Sequence, residues 1–146
     1  MVRQINFDMD GTIADLYGVE NWLEDLINGN ARPYNVARPL VDMRKLAKLI
    51  DMAQVQGIEV NIISWLAKNS NDEYDRKVIQ AKIKWLKKEM PHTHFDNIYI
   101  LPYGTPKEEY GNGVLFDDEE KNRNNWKGIA FDVCNLLEDL QKLVIE

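Results

Sequence analysis

Cysteine is nearly absent from this 146-residue chain, which has a single one, Cys134. A disulfide within the chain is therefore excluded, and a lone thiol is typical of proteins in a reducing compartment such as the cytoplasm. The residues around it, Val133, Leu136 and Leu137, are apolar. We therefore expect a buried thiol with a structural role rather than a catalytic nucleophile.

Histidine, long apolar runs and an excess of positive charge are also missing. The two histidines, His92 and His94, lie in one short polar segment, where we expect surface residues rather than a metal site or a Ser-His-Asp triad. No apolar run approaches the roughly 20 residues of a membrane span, and the first residues turn acidic too early for a signal peptide. The net charge of −6 disfavours a nucleic-acid coat protein. We expect a soluble, cytoplasmic protein.

The composition is that of one globular domain. Hydrophobic residues make up 45% of the chain and charged residues 29%, which are ordinary values for a folded protein. A chain of this length buries about two thirds of its unfolded surface, so it needs no disulfide or metal for stability. We predict a single domain over residues 1–146.

Strand-like and helix-like segments alternate along the chain. Five short apolar segments predict strands at residues 3–7, 58–65, 97–101, 113–116 and 128–131. Between them, Pro39 predicts the first turn of a helix that ends before Gly57. Ser70 begins a capping box ahead of another helix, and Asp132 is placed to cap a last one. This alternation predicts an α/β fold, a three-layer, Rossmann-like parallel sheet with helices on both faces.

Residues 16–38 do not fit the alternation. Trp22 and Leu26 recur at helical spacing, and Pro33 and Tyr34 follow in what we predict to be a loop. Ligands of parallel α/β sheets bind beyond the carboxyl ends of the strands. We interpret residues 16–38 as a small helical cap inserted over that end of the sheet.

The first predicted strand ends in Asp8-Met9-Asp10-Gly11-Thr12. Side chains two residues apart point to the same side of an extended chain, so these two carboxylates lie close together. At a distance of about 4 Å and an effective dielectric of 20, they would repel each other by about 4 kcal/mol. A positive group is therefore expected between them. Because there is no Cys/His cluster, Mg²⁺ fits better than zinc. Gly11 permits a tight turn, and Thr12 offers a hydroxyl and backbone N–H groups to a phosphate. The alternative is an ordinary Asp-Gly turn.

Two later strands also end in polar groups. Asp117 and Asp118 follow the fourth strand, and because adjacent residues of an extended chain point oppositely, we assign Asp117 to the metal and Asp118 to its support. The alternative is a solvated acidic loop. At the end of the second strand, the Ser64 hydroxyl and the Trp65 N–H could hold a phosphoryl oxygen.

Lys107 lies in the sequence Thr-Pro-Lys-Glu, which predicts a capping box and places the lysine in the first turn of a helix. The helix dipole disfavours a cation there unless an anion binds nearby. The alternative is a lysine paired with Glu108 or Glu109.

These segments together resemble the haloacid dehalogenase (HAD) superfamily. Residues 7–15 are similar to its first motif, DxDGT, and Ser64, Lys107 and Asp117 follow in the order of the remaining three motifs. The Leu-Phe-Asp-Asp sequence that contains Asp117, with Asn122 after it, is similar to the 5′(3′)-deoxyribonucleotidase branch. The resemblance spans nearly the whole chain and implies the HAD-like fold.

The resemblance also implies roles for individual residues. Asp8 would be the nucleophile that forms an aspartyl-phosphate, and Asp10 the general acid and base. Asp8, Asp117 and the backbone carbonyl of Asp10 would bind Mg²⁺. Ser64 and Lys107 would neutralise the phosphoryl oxygens. Physical chemistry agrees, because a carboxylate attacks a phosphate dianion only where cations offset the repulsion.

Residues 16–38 are shorter than the family's usual cap, so base-recognition residues of nucleotidases cannot be assigned. Tyr17, Trp22, Tyr34 and Trp65 are candidates for stacking on a nucleobase, although for Trp22 we favour packing in the core. An open site would also accept a larger substrate.

The sequence therefore predicts a Mg²⁺-dependent HAD-type phosphatase, a phosphomonoester hydrolase whose substrate is a small phosphorylated molecule such as a (deoxy)nucleoside monophosphate. One alternative is a phosphatase of phosphorylated nucleic-acid ends. Another is a receiver-type phospho-acceptor without turnover, which needs an aspartate at the end of the third strand, where Leu101-Pro102-Tyr103 stand. A third is a relative that only binds a partner. The oligomeric state is not indicated.

Overall fold

The computed structural model describes residues 2–145, which have an α/β fold. Its elements are, in chain order, β1 (Gln4–Phe7), β2 (Ala14–Asp15), α1 (Trp22–Ile27), α2 (Arg32–Val36), β3 (Arg38–Pro39), α3 (Met43–Val55), β4 (Glu59–Trp65), α4 (Asp72–Glu89), β5 (Asn97–Leu101), a 3₁₀ turn (Lys107–Glu109), β6 (Val114–Phe116), α5 (Glu120–Asn125), β7 (Ile129–Phe131) and α6 (Leu136–Ile145). Within residues 2–145, none of the helices combines the length and the apolar composition that crossing a membrane requires.

Five of the strands form one parallel sheet in the order β5-β4-β1-β6-β7. The predicted α/β fold with a parallel sheet is confirmed, and each strand lies within one residue of its predicted bounds. Short apolar segments separated by helical ones pair this way because a parallel neighbour needs a crossover connection. β1 is the central strand, and Phe7 at its end is paired with Ile62 of β4 and Phe116 of β6.

One face of the sheet carries most of the core. Ile5 and Phe7 of β1 lie in one apolar cluster with buried residues of α3, α6 and the second half of α4. The rings of Phe7, Phe116 and Phe131 stack in a row, with 5.2 Å between successive ring centroids. Such offset stacking adds to the hydrophobic contribution of burial.

The other face of the sheet is thinner and partly polar. α5 and the segment between β5 and β6 cover it, and its apolar cluster is small. The amides of Asn6 and Asn61 are fully buried there and hydrogen-bonded to each other at 3.0 Å. Asn6 also donates to the carbonyls of Asn112 and Val114. This polar face fixes the segment that leads into β6.

α3 begins later than the sequence predicts. Pro39 does not start the helix but pairs with Ala14 in the two-stranded β2–β3 ribbon. The helix begins at Met43, after Asp42, whose carboxylate accepts hydrogen bonds from the backbone N–H groups of Arg44 and Lys45. The prediction was wrong because proline, with its fixed φ and no N–H donor, is tolerated at the end of a strand as well as in the first turn of a helix.

Two other predicted caps are also shifted. The N-cap of α4 is Asn71, whose side chain accepts from the Tyr74 N–H at 2.8 Å, whereas Ser70 donates to Asp75. α6 begins at Leu136, and Asp132 instead accepts from the Val133 N–H at 2.6 Å.

The predicted burial of Cys134 is wrong as well, because this residue is exposed. It lies in the turn ahead of α6, before the buried positions of the helix begin, so its apolar neighbours in sequence are not its cover in space.

Residues 16–38 contain two short helices, α1 and α2. The β2–β3 ribbon pairs the residues at the two ends of this segment. Pro33 and Tyr34, predicted in a loop, lie in α2, where proline suits the first turn. α1 has no buried residue, so Trp22 is half-buried rather than part of the core. Whether this segment counts as a separate cap stays a prediction.

The cap of α4 gives a direct test of the structure. Asn71→Ala removes the side-chain acceptor of the first helical turn and should lower the free energy of unfolding by about 1 kcal/mol. Ser70→Ala, the matched control, removes only an exposed contact with Asp75 and should cost less. Urea denaturation measures both, and a larger loss for Ser70→Ala would contradict the assignment.

Candidate functional site

The candidate site lies where the chain reverses its direction across the sheet. From β1 the chain proceeds to β4 and β5 on one side, and then returns to β6 and β7 on the other. Crevices at such a switch point, beyond the carboxyl ends of the strands, are the usual ligand sites of open parallel sheets. Asp8 directly follows β1, and Asp117 and Asp118 directly follow β6, so all three flank the switch point.

These three aspartates form a compact carboxylate group, called the acidic cluster below. Each offers one oxygen, and the three oxygens lie within 4.8 Å of one another. Asp117 is fully buried and Asp8 nearly so, while Asp118 is partly exposed. The acidic cluster could hold a metal ion.

Both members of the Asp117–Asp118 pair reach the acidic cluster, although extended geometry predicts that only one does. The strand ends at Phe116, and the chain bends at Asp118, so the two side chains no longer point to opposite faces. Gly11 faces this bend. Its φ is +82°, and a Cβ added there would lie 2.3 Å from Asp118 Oδ2, so the turn tolerates only glycine.

Hydrogen bonds orient the carboxylates of the acidic cluster. The Thr12 hydroxyl lies 3.1 Å from Asp8 Oδ2 and 3.3 Å from Asp118 Oδ1. The backbone N–H of Glu119 donates to Asp117 Oδ1 at 2.9 Å, and the Asn122 amide donates to Asp117 Oδ2 at 3.2 Å. Such supporting contacts hold ligating groups in a fixed orientation.

Lys107 joins the acidic cluster from the opposite side. Its Nζ lies 2.9 Å from Asp8 Oδ1 and 2.8 Å from Asp117 Oδ2, and its side chain is 3% exposed. The predicted capping box is absent, because Lys107 begins a single 3₁₀ turn and Thr105 donates to the Pro102 carbonyl. The anions that offset its charge are these aspartates rather than neighbouring glutamates.

The acidic cluster has more carboxyl groups than Lys107 alone can balance. With all three carboxylates ionised, one ammonium group would leave two negative charges, so their mutual repulsion favours protonation. Burial and the charge of Asp8 raise the pKa of Asp117 to about 6 and that of Asp118 to about 8. Burial lowers the pKa of Lys107, but Asp8 and Asp117 outweigh this and raise it overall. An oxygen-only donor set with this surplus suits a hard divalent cation.

Asp10 lies outside the acidic cluster. Its Oδ2 is 2.9 Å from Nζ of Lys82, a residue of α4 whose side chain is 1% exposed. Burial raises the pKa of Asp10, and Lys82 opposes this shift. The sequence predicts one positive group between Asp8 and Asp10, but the structure has two. Lys107 pairs with Asp8, and Lys82 pairs with Asp10.

The other predicted phosphate-binding groups lie around the same floor. Ser64 is fully buried and its Oγ accepts from Lys82 at 2.7 Å. The Trp65 ring lies 5.4 Å from Lys107 Nζ. The N–H groups of Gly11 and Thr12 are bonded to the carbonyls of Ala14 and Met9. A phosphate role for those two N–H groups stays a prediction.

A cavity of about 600 Å³ opens above these residues. Asp8, Asp10 and Lys107 lie on its floor, and aromatic side chains line its walls, namely Tyr17, Trp22, Tyr34, Trp65, Tyr74 and Tyr103. Its volume and mixed lining fall in the range of small-molecule sites. The walls come from residues 16–38, the end of β4, the first turn of α4 and the segment after β5.

The sequence analysis missed Lys82. The helical spacing that predicts α4 uses Ile79, Ile83, Leu86 and Met90, of which the last two are buried and the first two only partly so. The buried face instead consists of Tyr74, Val78, Ala81, Lys82, Trp85 and Leu86. Lys82 lies four residues after Val78 and three residues before Trp85, so helical spacing places it on the same face as these two apolar residues. That spacing is the sequence signal that could have identified it.

No family model matches this chain, and none of the curated proteins matches it. The protein has a parallel sheet in an α/β fold, with a buried acidic cluster near the carboxyl ends of the strands. This acidic cluster could be a metal site.

The raised pKa of Asp118 predicts a pH dependence of stability without metal. Asp118 has a higher pKa in the folded than in the unfolded state, so its stabilising contribution is complete below about pH 4 and is lost as pH rises to about 8. Asp118→Asn should reduce this loss by about 1–2 kcal/mol, after allowance for partial exposure. Some slope will stay, since Asp10 and Asp117 also have raised pKa values.

Urea denaturation between pH 4 and pH 8 in chelator measures this effect. Glu120→Gln, an exposed acidic neighbour, is the matched control and should keep the wild-type slope. Equal slopes for Asp118→Asn and the wild type would contradict the burial assigned to Asp118.

Proposed function

We propose that this protein is a Mg²⁺-dependent phosphomonoester hydrolase that works through an aspartyl-phosphate on Asp8, as its resemblance to the HAD superfamily implies. The observation that carries the proposal is the environment of Asp8. Its carboxylate lies on the floor of the cavity, bonded to Lys107 and grouped with Asp117 and Asp118. A nucleophile for a phosphate dianion needs cations at that position.

The acidic cluster fits a magnesium ion, with Asp8 and Asp117 as ligands, the Asp10 carbonyl as a further one, and Asp118 either supporting them or ligating directly. A bound Mg²⁺ supplies charge neutralisation of the phosphoryl oxygens. Fully ionised, the acidic cluster has two surplus negative charges, which match the charge of such an ion, and a bound cation favours this ionised state.

The chain's own residues provide the rest of the chemistry. An oxygen of Asp8 attacks phosphorus, the ester P–O bond breaks, and Asp10 gives its proton to the departing oxygen. Water then attacks the phosphorus of the aspartyl-phosphate, Asp10 takes the proton from this water, and phosphate leaves with the Asp8 carboxylate restored. Splitting hydrolysis into two steps avoids the very slow direct reaction of a phosphate monoester.

The electrostatics of Asp10 support the acid role. A general acid must hold a proton at working pH, and burial raises the pKa of Asp10. Lys107 and the hydroxyl of Ser64 would bind the phosphoryl oxygens during both steps. Lys107 lines the cavity, and Ser64 is fully buried and precedes Trp65, which also lines the cavity.

A phosphomonoester whose alcohol part carries an aromatic ring, such as a nucleoside monophosphate with its base, is the substrate class that the cavity walls favour. Trp65 and Tyr103 pack against each other with ring centroids 5.1 Å apart, and Tyr17 and Trp22 do so at 5.0 Å. These pairs provide flat apolar surfaces for a base, whose stacking contributes about 1–3 kcal/mol.

The alternatives have less support. A receiver-type module has the strand order 2-1-3-4-5, whereas the five main strands here follow the order 3-2-1-4-5 when numbered along the chain. Pro102 follows β5 where the acceptor aspartate would stand. A phosphorylated nucleic-acid end remains the second candidate because the cavity is open to solvent.

The nucleophile is tested by acid-quenched labelling. Wild-type protein with Mg²⁺ and a ³²P-labelled monoester should acquire label that hydroxylamine releases, as acyl phosphates do. Asp8→Asn should acquire no label and release no phosphate, while exposed Asp51→Asn should behave as the wild type. Chelation should abolish turnover in the wild type, and readdition of Mg²⁺ should restore it. Undiminished turnover in folded Asp8→Asn would refute the proposal.

The substrate class is tested at Tyr103, which is 51% exposed and does not contact Lys107 through any hydrogen bond among the described residues. Tyr103→Leu should raise KM for a nucleoside monophosphate about 5-fold or more, while KM for ribose 5-phosphate stays unchanged. Tyr103→Phe is the matched control that retains the ring. Equal KM changes for both substrates would exclude base stacking on Tyr103, and a preference for 5′-phosphorylated oligonucleotides would favour the second candidate.

A further inference from the structure

Lys82 makes three hydrogen bonds within the protein. Its Nζ lies 2.9 Å from Asp10 Oδ2, 2.7 Å from Ser64 Oγ and 2.7 Å from the Trp65 carbonyl oxygen. The Tyr34 ring lies 5.3 Å away and covers the ammonium group further. An ammonium group has three N–H donors, so all of them are used and Lys82 has a single fixed position.

This arrangement joins two parts of the site that the chain brings from different strands. Asp10 comes from the turn after β1, and Ser64 comes from the end of β4. Asp10 lines the cavity, whereas Lys82 and Ser64 are both buried. Because all three N–H donors of Lys82 are already bonded within the protein, any effect of Lys82 on the reaction passes through Asp10 and Ser64.

We propose that Lys82 is a positioning residue, which holds Asp10 for proton transfer at the leaving oxygen and turns the Ser64 hydroxyl hydrogen toward the phosphoryl group. This inference rests on the proposed hydrolase function. Asp10 Oδ2 is occupied by Lys82, so the proton that Asp10 transfers is carried by Oδ1. Ser64 Oγ accepts from Lys82, so its own hydrogen is available as a donor.

The dependence on the leaving group separates this role from simple structural support. An alkyl phosphate releases an alkoxide, which needs the proton of Asp10, whereas 4-nitrophenyl phosphate releases a phenolate that departs without one. The ratio kcat/KM includes the bond-breaking step for each ester. A residue that positions Asp10 affects the alkyl ester more, and a residue that only stabilises the fold affects both equally.

The test compares Lys82→Met, Lys82→Gln and the exposed control Lys84→Met on the same helix. Both Lys82 variants should lower kcat/KM for ribose 5-phosphate at least about 10-fold more than for 4-nitrophenyl phosphate, as expected for partial loss of general-acid catalysis. Lys84→Met should match the wild type. In an Asp10→Asn background, Lys82→Met should cause no further discrimination between the esters, because the two residues act together.

Lys82→Gln keeps two N–H donors and tests the inference if Lys82→Met does not fold, as judged by circular dichroism. Equal losses on both esters in a folded variant would overturn the inference alone, and so would a failure of both variants to fold, which makes Lys82 structural. A wild-type protein that hydrolyses neither ester with Mg²⁺ would refute the proposed function and the inference with it.

Discussion

The confinement of like charges at the end of β1 is the constraint on which the site depends. Four carboxyl groups lie around this point, those of Asp8, Asp10, Asp117 and Asp118, and two ionised carboxylates about 4 Å apart repel by about 4 kcal/mol at an effective dielectric of 20. Two buried lysines offset part of this repulsion. Both come from segments distant in sequence, so the local motif after β1 gains this compensation only when α4 and the 3₁₀ turn have docked.

The polar face of the sheet helps to deliver one of these lysines. Gln4 accepts from the Asn112 N–H at 2.7 Å, and Asn6 donates to the Asn112 carbonyl at 2.8 Å. These contacts fasten the end of the segment that carries Lys107 to β1, the strand that also carries Asp8. The buried amides are satisfied, as such groups must be in a low-dielectric interior. Packing and charge placement are thus achieved by one strand, with apolar residues on one face and amides on the other.

The sequence was sufficient for the sheet because strand periodicity and the Asp-x-Asp-Gly-Thr turn are local properties. It was insufficient where a residue's role depends on distant partners. Pro39 satisfies a strand end as well as a helix start, and Asp118 reaches the acidic cluster only because the chain bends after β6. Helical spacing places Lys82 on the buried face of α4, but the sequence does not show that Asp10 and Ser64 are its partners. Contacts between residues 18 and 72 positions apart leave no periodic pattern that identifies the partners.

An ion-pair network that only stabilises the fold would balance its charges with every group ionised, and this one does not. Four carboxyl groups face two ammonium groups, so the charges balance only while two of the carboxyl groups keep a proton, and burial raises the pKa values of Asp10, Asp117 and Asp118. Replacing buried charges by apolar residues of similar volume is commonly neutral or stabilising, so fold stability gives no reason to retain the surplus. A site that binds a cation and then a phosphate does give one, because the unfavourable charge is relieved only when the ligands are present. The imbalance is therefore itself an argument for chemistry at Asp8.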